Sequence, residues 1–233
     1  MMRLRLLPVY GILAAVIVLP AAGCANLLSA NFIDTFHTTV PYAPATIAVR
    51  DSVGGVELDA WNKPQVEIEA RKRGSTIDEA RAITISADQH GSTLVVEAHF
   101  PQNVSNCQVE LTIHAPASAN LDVNVGVGGI LTKGFTGNLD AHTDTGGVAT
   151  TMAALGGSQH VVIHIGVGGL ALTIPNDSSA SVSASTSVGA IKSDFPLTLD
   201  RNFVGQSGKG TIGSGSAAID LSVGTGGIAI RRE

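Results

Sequence analysis

The sequence predicts an all-β protein. Its main part reads as a β-solenoid, β-helix-like, of roughly 20-residue repeats, preceded by an antiparallel β region with one short helix. The first observation behind this is a refrain in which a glycine cluster is followed by one aliphatic residue. It runs Gly128-Gly129-Ile130, Gly146-Gly147-Val148, Gly168-Gly169-Leu170, Gly189-Ala190-Ile191, Gly210-Thr211-Ile212 and Gly226-Gly227-Ile228. The aliphatic positions stand 18, 22, 21, 21 and 16 residues apart. The second is composition: aromatics make up 4% and charged residues 14% of 233 residues, and 27 are glycine. Thin rungs filled by Val and Ile suit such a chain better than a thick aromatic core. The third is period-2 alternation, clearest in Val66-Glu67-Ile68-Glu69-Ala70, which marks a half-buried strand.

Residues 1–23 carry the three parts of an export signal: Arg3 and Arg5, an apolar run from Val9 to Leu19, then Ala21, Ala22 and Gly23 before Cys24. The run is short and bounded by Pro8 and Pro20, which argues against a membrane-spanning helix. Ala-Ala-Gly-Cys resembles the lipobox of bacterial lipoproteins, in which the cysteine is lipidated and becomes the mature N-terminus. Ala21 stands where that motif favours Leu, and a plain secretory signal is the alternative. Lipidation at Cys24 would anchor the protein through acyl chains. Ala25, in place of an inner-membrane retention aspartate, points toward the outer membrane. Residues 24–45, with Pro41 and Pro44, read as a tether. With Cys24 acylated, Cys107 is the one remaining thiol, expected to be buried and inert.

Residues 46–120 form the N-terminal β region. Thr46 to Val49, Gly54 to Leu58 and Val66 to Ala70 read as strands, with a turn at Asn62-Lys63-Pro64. Gly54-Gly55-Val56 is an isolated early copy of the refrain. Ser75 to Ala82 is the helical candidate, capped by Thr76 with Glu79 closing a capping box. Ile83 to Ala87, Thr93 to Phe100 and Val109 to Ala115 follow as strands, the first two joined at His90-Gly91-Ser92. Beyond 120 each unit reads as strand, glycine corner, strand, because a tight corner needs backbone angles or approaches that a Cβ forbids. About six rungs at roughly 4.8 Å give a rod roughly 30 Å long over 121–233, continuous with 46–120. The tail Arg231-Arg232-Glu233 would blunt the last edge.

The run Leu172-Thr173-Ile174-Pro175, Ala180 to Thr186, Val188-Gly189-Ala190-Ile191 and Ser193-Asp194-Phe195-Pro196-Leu197, with the closing stretch Gly208 to Ile230, resembles the bacterial "putative adhesin" β-strand-repeat family of unknown function. Val109 to Pro116 resembles its strand-then-proline step. The likeness spans roughly 45–230, and the chain departs from it in having Val-Gly-Gly or Thr-Gly-Gly corners where many members have Gly-Asp. It implies the fold and little about ligands.

Chemical motifs give little. Gly208 to Gly213 fits G-x-G-x-x-G by spacing but lacks the following helix and the acidic residue of a dinucleotide site. Lys209 is no P-loop lysine, since Phe203 stands where the first glycine belongs. His160 and His164 on one strand would lie about 13 Å apart. His142 with His164, or His114 with either, would meet only if the register aligned them, near Asp140 or Asp144. Asp122, Asp140 and Asp144 are the carboxylates a glycoside-cleaving β-helix would use, though turn and edge roles are commoner. Arg71-Lys72-Arg73 is a strand end, and with a net charge of -5 no nucleic-acid partner is expected. The expectation is therefore a cell-envelope lipoprotein, on the periplasmic side or at the outer membrane, with a structural or adhesive role. It would have no catalytic residues, metal or cofactor, and polysaccharide or an envelope protein as partner. A β-helical polysaccharide enzyme and a sensory protein binding a membrane partner are the alternatives.

Overall fold

A computed structural model describes residues 32–233 apart from 42, 43, 103, 105 and 202. The export signal and Cys24 lie outside the described residues. Among the described residues the fold is mostly β with one short helix, and its strands form a single mixed, open sheet. The expected regular solenoid, with rungs stacked in chain order, is not what the pairing shows.

Four long strands build the centre: β2 (Thr46–Trp61), β7 (Asn120–Phe135), β8 (Leu139–Met152) and β9 (His160–Ile174). They pair in parallel and in register, so that Gly54 faces Gly128, Gly128 faces Gly146, and Gly146 faces Gly168. The copy at Gly54-Gly55-Val56 is thus the first corner of the stack and not an isolated one. Each strand changes its alternation at the glycines. In β7, Leu121, Val123 and Val125 are buried before the corner, and Ile130 and Thr132 after it. Odd positions face inward on one arm and even positions on the other. Gly128 at φ 152 and Gly146 at φ 151 take the backbone that permits this switch.

The next tier is supplied out of order. β10 (Ala180–Val188) does not pair with β9. β14 (Ala217–Thr225) lies between them, parallel to both, and β15 (Ile228–Arg232) bridges β9 and β11 (Ile191–Ser193). The chain skips one tier, builds the sixth, turns through β12 (Thr198–Arg201) and β13 (Gln206–Ile212), and returns to fill the fifth. The corner column therefore runs Gly54, Gly128, Gly146, Gly168, Gly226, Gly189. Gly210 is not part of it, because β13 runs straight and antiparallel to β10 and β12. Gly208 and Gly210 leave room for Leu199 and Leu197, whose Cδ2 atoms would lie 2.8 and 2.6 Å from added Cβ atoms.

Antiparallel pairings cover both ends. On the first tier β5 (Thr93–His99) lies parallel to one arm of β2 and β6 (Gln108–Pro116) parallel to the other. β4 (Thr84–His90) then pairs with β5, and β3 (Val66–Gly74) with β6. Residues 32–40, expected as tether, instead form β1, which pairs with β3 along its whole length and is one outer strand of the sheet. Lys72 fixes it: its ammonium lies 2.6 Å from Asp34 and donates to the Ile83 carbonyl at 3.1 Å. Helix α1 (Ile77–Ala82) has the expected capping box, with Thr76 and Glu79 each bonded to the other's backbone amide at 3.1 Å.

The core is one continuous set of inward columns. Ile47, Leu121, Leu139, Val161, Ile219 and Val182 stack in one, and Val56, Ile130, Val148, Leu170, Ile228 and Ile191 in another. The buried hydroxyls of Thr132 and Thr150 satisfy each other at 3.1 Å, as burial of polar groups requires.

Candidate functional site

The corner geometry sorts the outward residues into straight rows. Past the corners, the second arm shows Gly129, Gly147, Gly169, Gly227 and Ala190 in one row. Leu131, Ala149, Ala171, Ala229 and Lys192 form the next. With so little side chain, the surface forms a shallow groove of about 780 Å³ running across five tiers. Lys192 and Arg231 line it near the late tiers. At the early end Lys133 is held by Glu57 at 2.7 Å and lies 3.7 Å from Asp59. The hydrogen bond to Glu57 is the chief cause that raises the Lys133 ammonium above its usual range. Such a surface lets an extended chain approach the backbone closely and offers two cationic groups at its late end.

The other arm carries the Asp and His residues. His142 and His164 are register partners on β8 and β9, an alignment that spacing alone left open. His142 shares a hydrogen bond with Asp144 at 3.0 Å. His114 is on the opposite arm, facing Glu67 and Asp59 across its neighbours, with its ring stacked on Trp61 at 5.4 Å. His160 lies four residues before His164 on the same strand. Asp122 and Asp140 are register partners, but Arg50 binds both oxygens of Asp122 at 2.9 and 2.6 Å. That leaves one of the two carboxylates without such a clamp, on an open face.

Near the first corner, Asp51 occupies a column otherwise filled by Val125, Thr143, Ile165, Val223 and Thr186. It is 4% exposed. Its Oδ1 accepts from the Val53 amide at 3.2 Å, while Oδ2 has no partner among the described residues. Burial pushes its carboxyl up to about 6, against the pull of the Val53 and Ser52 amides.

A further group comes from the strand the sequence reading missed. On β1 and β3, His37, Glu67 and Glu69 turn to one face, and their ligating atoms all lie within 4.8 Å of one another. The alternation of Glu67 and Glu69 was legible, but with 24–45 read as tether there was no strand to bring His37 beside them. Cys107 is half-buried, and burial, followed by the Glu79 charge, pushes its thiol up. This fits an inert thiol. Lys209 faces Ser183 and Thr198 across a plain hairpin.

No known protein family profile matches the chain, and no curated protein does. Among solved structures, a putative cell adhesion protein from Clostridium sporogenes superposes with a TM-score of 0.57 at 16% identity, over 86% of this chain and 100% of that one. The chain shares that fold. A putative adhesin from Bacteroides fragilis, at 12% identity, covers 84% of this chain and 97% of its own with a TM-score of 0.34. One from Parabacteroides merdae, at 11% identity, covers 86% and 96% with a TM-score of 0.30. The likeness to adhesin-type structures read in the refrain is thus met by the fold of the Clostridium protein.

Proposed function

We propose that this protein is a cell-envelope lipoprotein, acylated at Cys24, whose stacked tiers act as a short solenoid with a structural or adhesive role and no catalytic one. The observation that supports it best is the groove along the second arm. Its Gly and Ala rows repeat at the strand spacing, so an extended polymer meets the same surface at every tier. Lys192 and Arg231 at its late end favour a polysaccharide or envelope protein that carries acidic groups. The adhesion label of the Clostridium sporogenes structure agrees with this reading. Anchoring would place the groove at the periplasmic side or outer membrane.

A second reading, a polysaccharide-cleaving enzyme, is favoured by the Asp122–Asp140 adjacency. A panel of acidic and neutral polysaccharides separates the two. Saturable binding without product is expected, lost when bulky charges enter the groove in Ala149→Glu/Ala171→Glu and kept in Asp140→Asn. Reducing ends released by the wild type, and not by Asp140→Asn, would establish the enzyme instead.

A further inference from the structure

We infer that His37, Glu67 and Glu69 form a binding site for a divalent first-row transition ion of the Zn²⁺ class, clasping the outer strand β1 to β3. Thirty residues separate His37 from Glu67 in the chain, and the antiparallel pairing of Phe32–Val40 with Val66–Gly74 closes that distance. His37 is the direct register partner of Glu69, and Glu67 lies two residues along on the same face. His37 Nε2 stands 3.6 Å from Glu67 Oε1, too long for a hydrogen bond and open enough for an ion to enter between them.

The group is poorly explained as an ordinary ion pair. Two carboxylates share one face of one strand, with a single imidazole opposite Glu69 on the next strand. Among the described residues neither carboxylate accepts a hydrogen bond, although the Glu67 side chain is only 25% exposed. The neighbours on β6 do not relieve them. Thr112 is opposite Glu69 and His114 opposite Glu67, but the His114 ring lies on Trp61, over which Lys63 sits at 4.3 Å. Arg71, next on the same face of β3, pairs instead with Glu110 at 3.6 Å, so a bound metal ion would supply the charge that these carboxylates lack.

The donor set narrows the ion. One imidazole nitrogen and two carboxylate oxygens suit Zn²⁺ and its neighbours, whereas Ca²⁺ and Mg²⁺ take oxygen ligands. Ligand atoms about 2.0–2.2 Å from a tetrahedral ion lie roughly 3.4 Å apart. The three donors, all within 4.8 Å of one another, reach that by small side-chain rotations. Water would complete the coordination. Because β1 is bonded on one side only among the described residues, by β3, an ion joining the two strands would restrain that edge of the sheet. The inference does not depend on lipid anchoring or polymer binding.

The test is calorimetric titration of the full chain in detergent with Zn²⁺, alongside His37→Ala, His37→Gln, Glu67→Gln, Glu69→Gln and His142→Ala. One equivalent should bind the wild type, at least tenfold more weakly in each variant of the three ligands, and equally well in His142→Ala. Hydrogen exchange of the amides of residues 32–40 should slow when Zn²⁺ is added. Absence of binding to the wild type, undiminished binding in the His37 variants, or loss of it in His142→Ala would each overturn the site. Tighter binding of Ca²⁺ than of Zn²⁺ would overturn its class. Equal melting temperatures without metal establish that the variants fold alike.

Discussion

The carbonyl oxygen of Gly128 lies 1.7 Å from where a Cβ on Gly146 would begin. The same contact recurs up the stack, between the Gly54 oxygen and Gly128, Gly146 and Gly168, Gly168 and Gly226, and Gly226 and Gly189, at 1.5 to 1.8 Å. No side-chain rotation relieves a clash between Cβ and backbone, and φ 151 at Gly146 adds strain for any other residue. Each tier therefore prevents a side chain at the first corner position of the tier stacked on it. The second corner position differs. A Cβ on Gly147 would meet the Gly169 oxygen at 3.5 Å, an ordinary contact, and the sixth tier carries Ala190 there. Gly146→Ala is expected to destabilise by more than about 4 kcal/mol, and Gly147→Ala to stay within about 1 kcal/mol. Urea unfolding of the two variants checks this, and equal losses would show that the corners are not set by backbone contact.

This asymmetry explains how much was legible. The glycine corner, its inward aliphatic residue and the capping box at Thr76 are local signals and could be read from spacing. Tier order is not local. Gly210-Thr211-Ile212 has the look of a corner, yet Gly208 and Gly210 serve Leu199 and Leu197, and nothing nearby announces that β14 will enter between β9 and β10. β1 escaped for a related reason. Phe32–Val40 is half-exposed and lacks a strong apolar alternation, so its strand identity depends on β3, some thirty residues on. The proposed binding surfaces follow the same division: the rows of small residues repeat in the sequence, while His37, Glu67 and Glu69 meet only through pairing.

Two inward columns, one through Ile163 and one ending at Ile191, make a graded test of the stack. Ile163, fully buried between Ala141 and Leu221 in the middle tiers, and Ile191, 4% exposed in the last tier, both face the core. A carboxylate at either place would be buried without a partner, at a cost of several kcal/mol. Ile163→Asp should fail to fold. Ile191→Asp should lower the melting temperature, with exchange protection lost first in β10, β11 and β13. An unchanged melt for Ile191→Asp would contradict its inward place.

The proposed anchor predicts a fractionation result. Cys24→Ala should move the protein from the membrane pellet to the soluble envelope fraction, because the acyl chains would be what holds it. Retention of the variant in the pellet after a high-salt wash would refute acylation as the tether.

Asp51 gives the fold a pH dependence of unusual sign. Its folded carboxyl titrates at about 6 against a reference value of 3.8, so between those values folding takes up a proton. A raised carboxyl contributes stability that is fully present below the unfolded value and lost as pH rises through the folded one. At neutral pH the fold holds a charge 4% exposed, with one oxygen unpartnered. The shift of roughly two pH units corresponds to at most about 3 kcal/mol. Asp51→Asn keeps the shape and removes the charge, so it should raise unfolding free energy at pH 7.5 by up to that amount and change it little at pH 4. The wild type should then lose stability from pH 4 to 7 relative to the variant. Urea titrations at pH 4, 5, 6 and 7.5 measure the difference directly. A constant gap between the two proteins across that range would mean that Asp51 is not protonated in the fold, and that its second oxygen has found water.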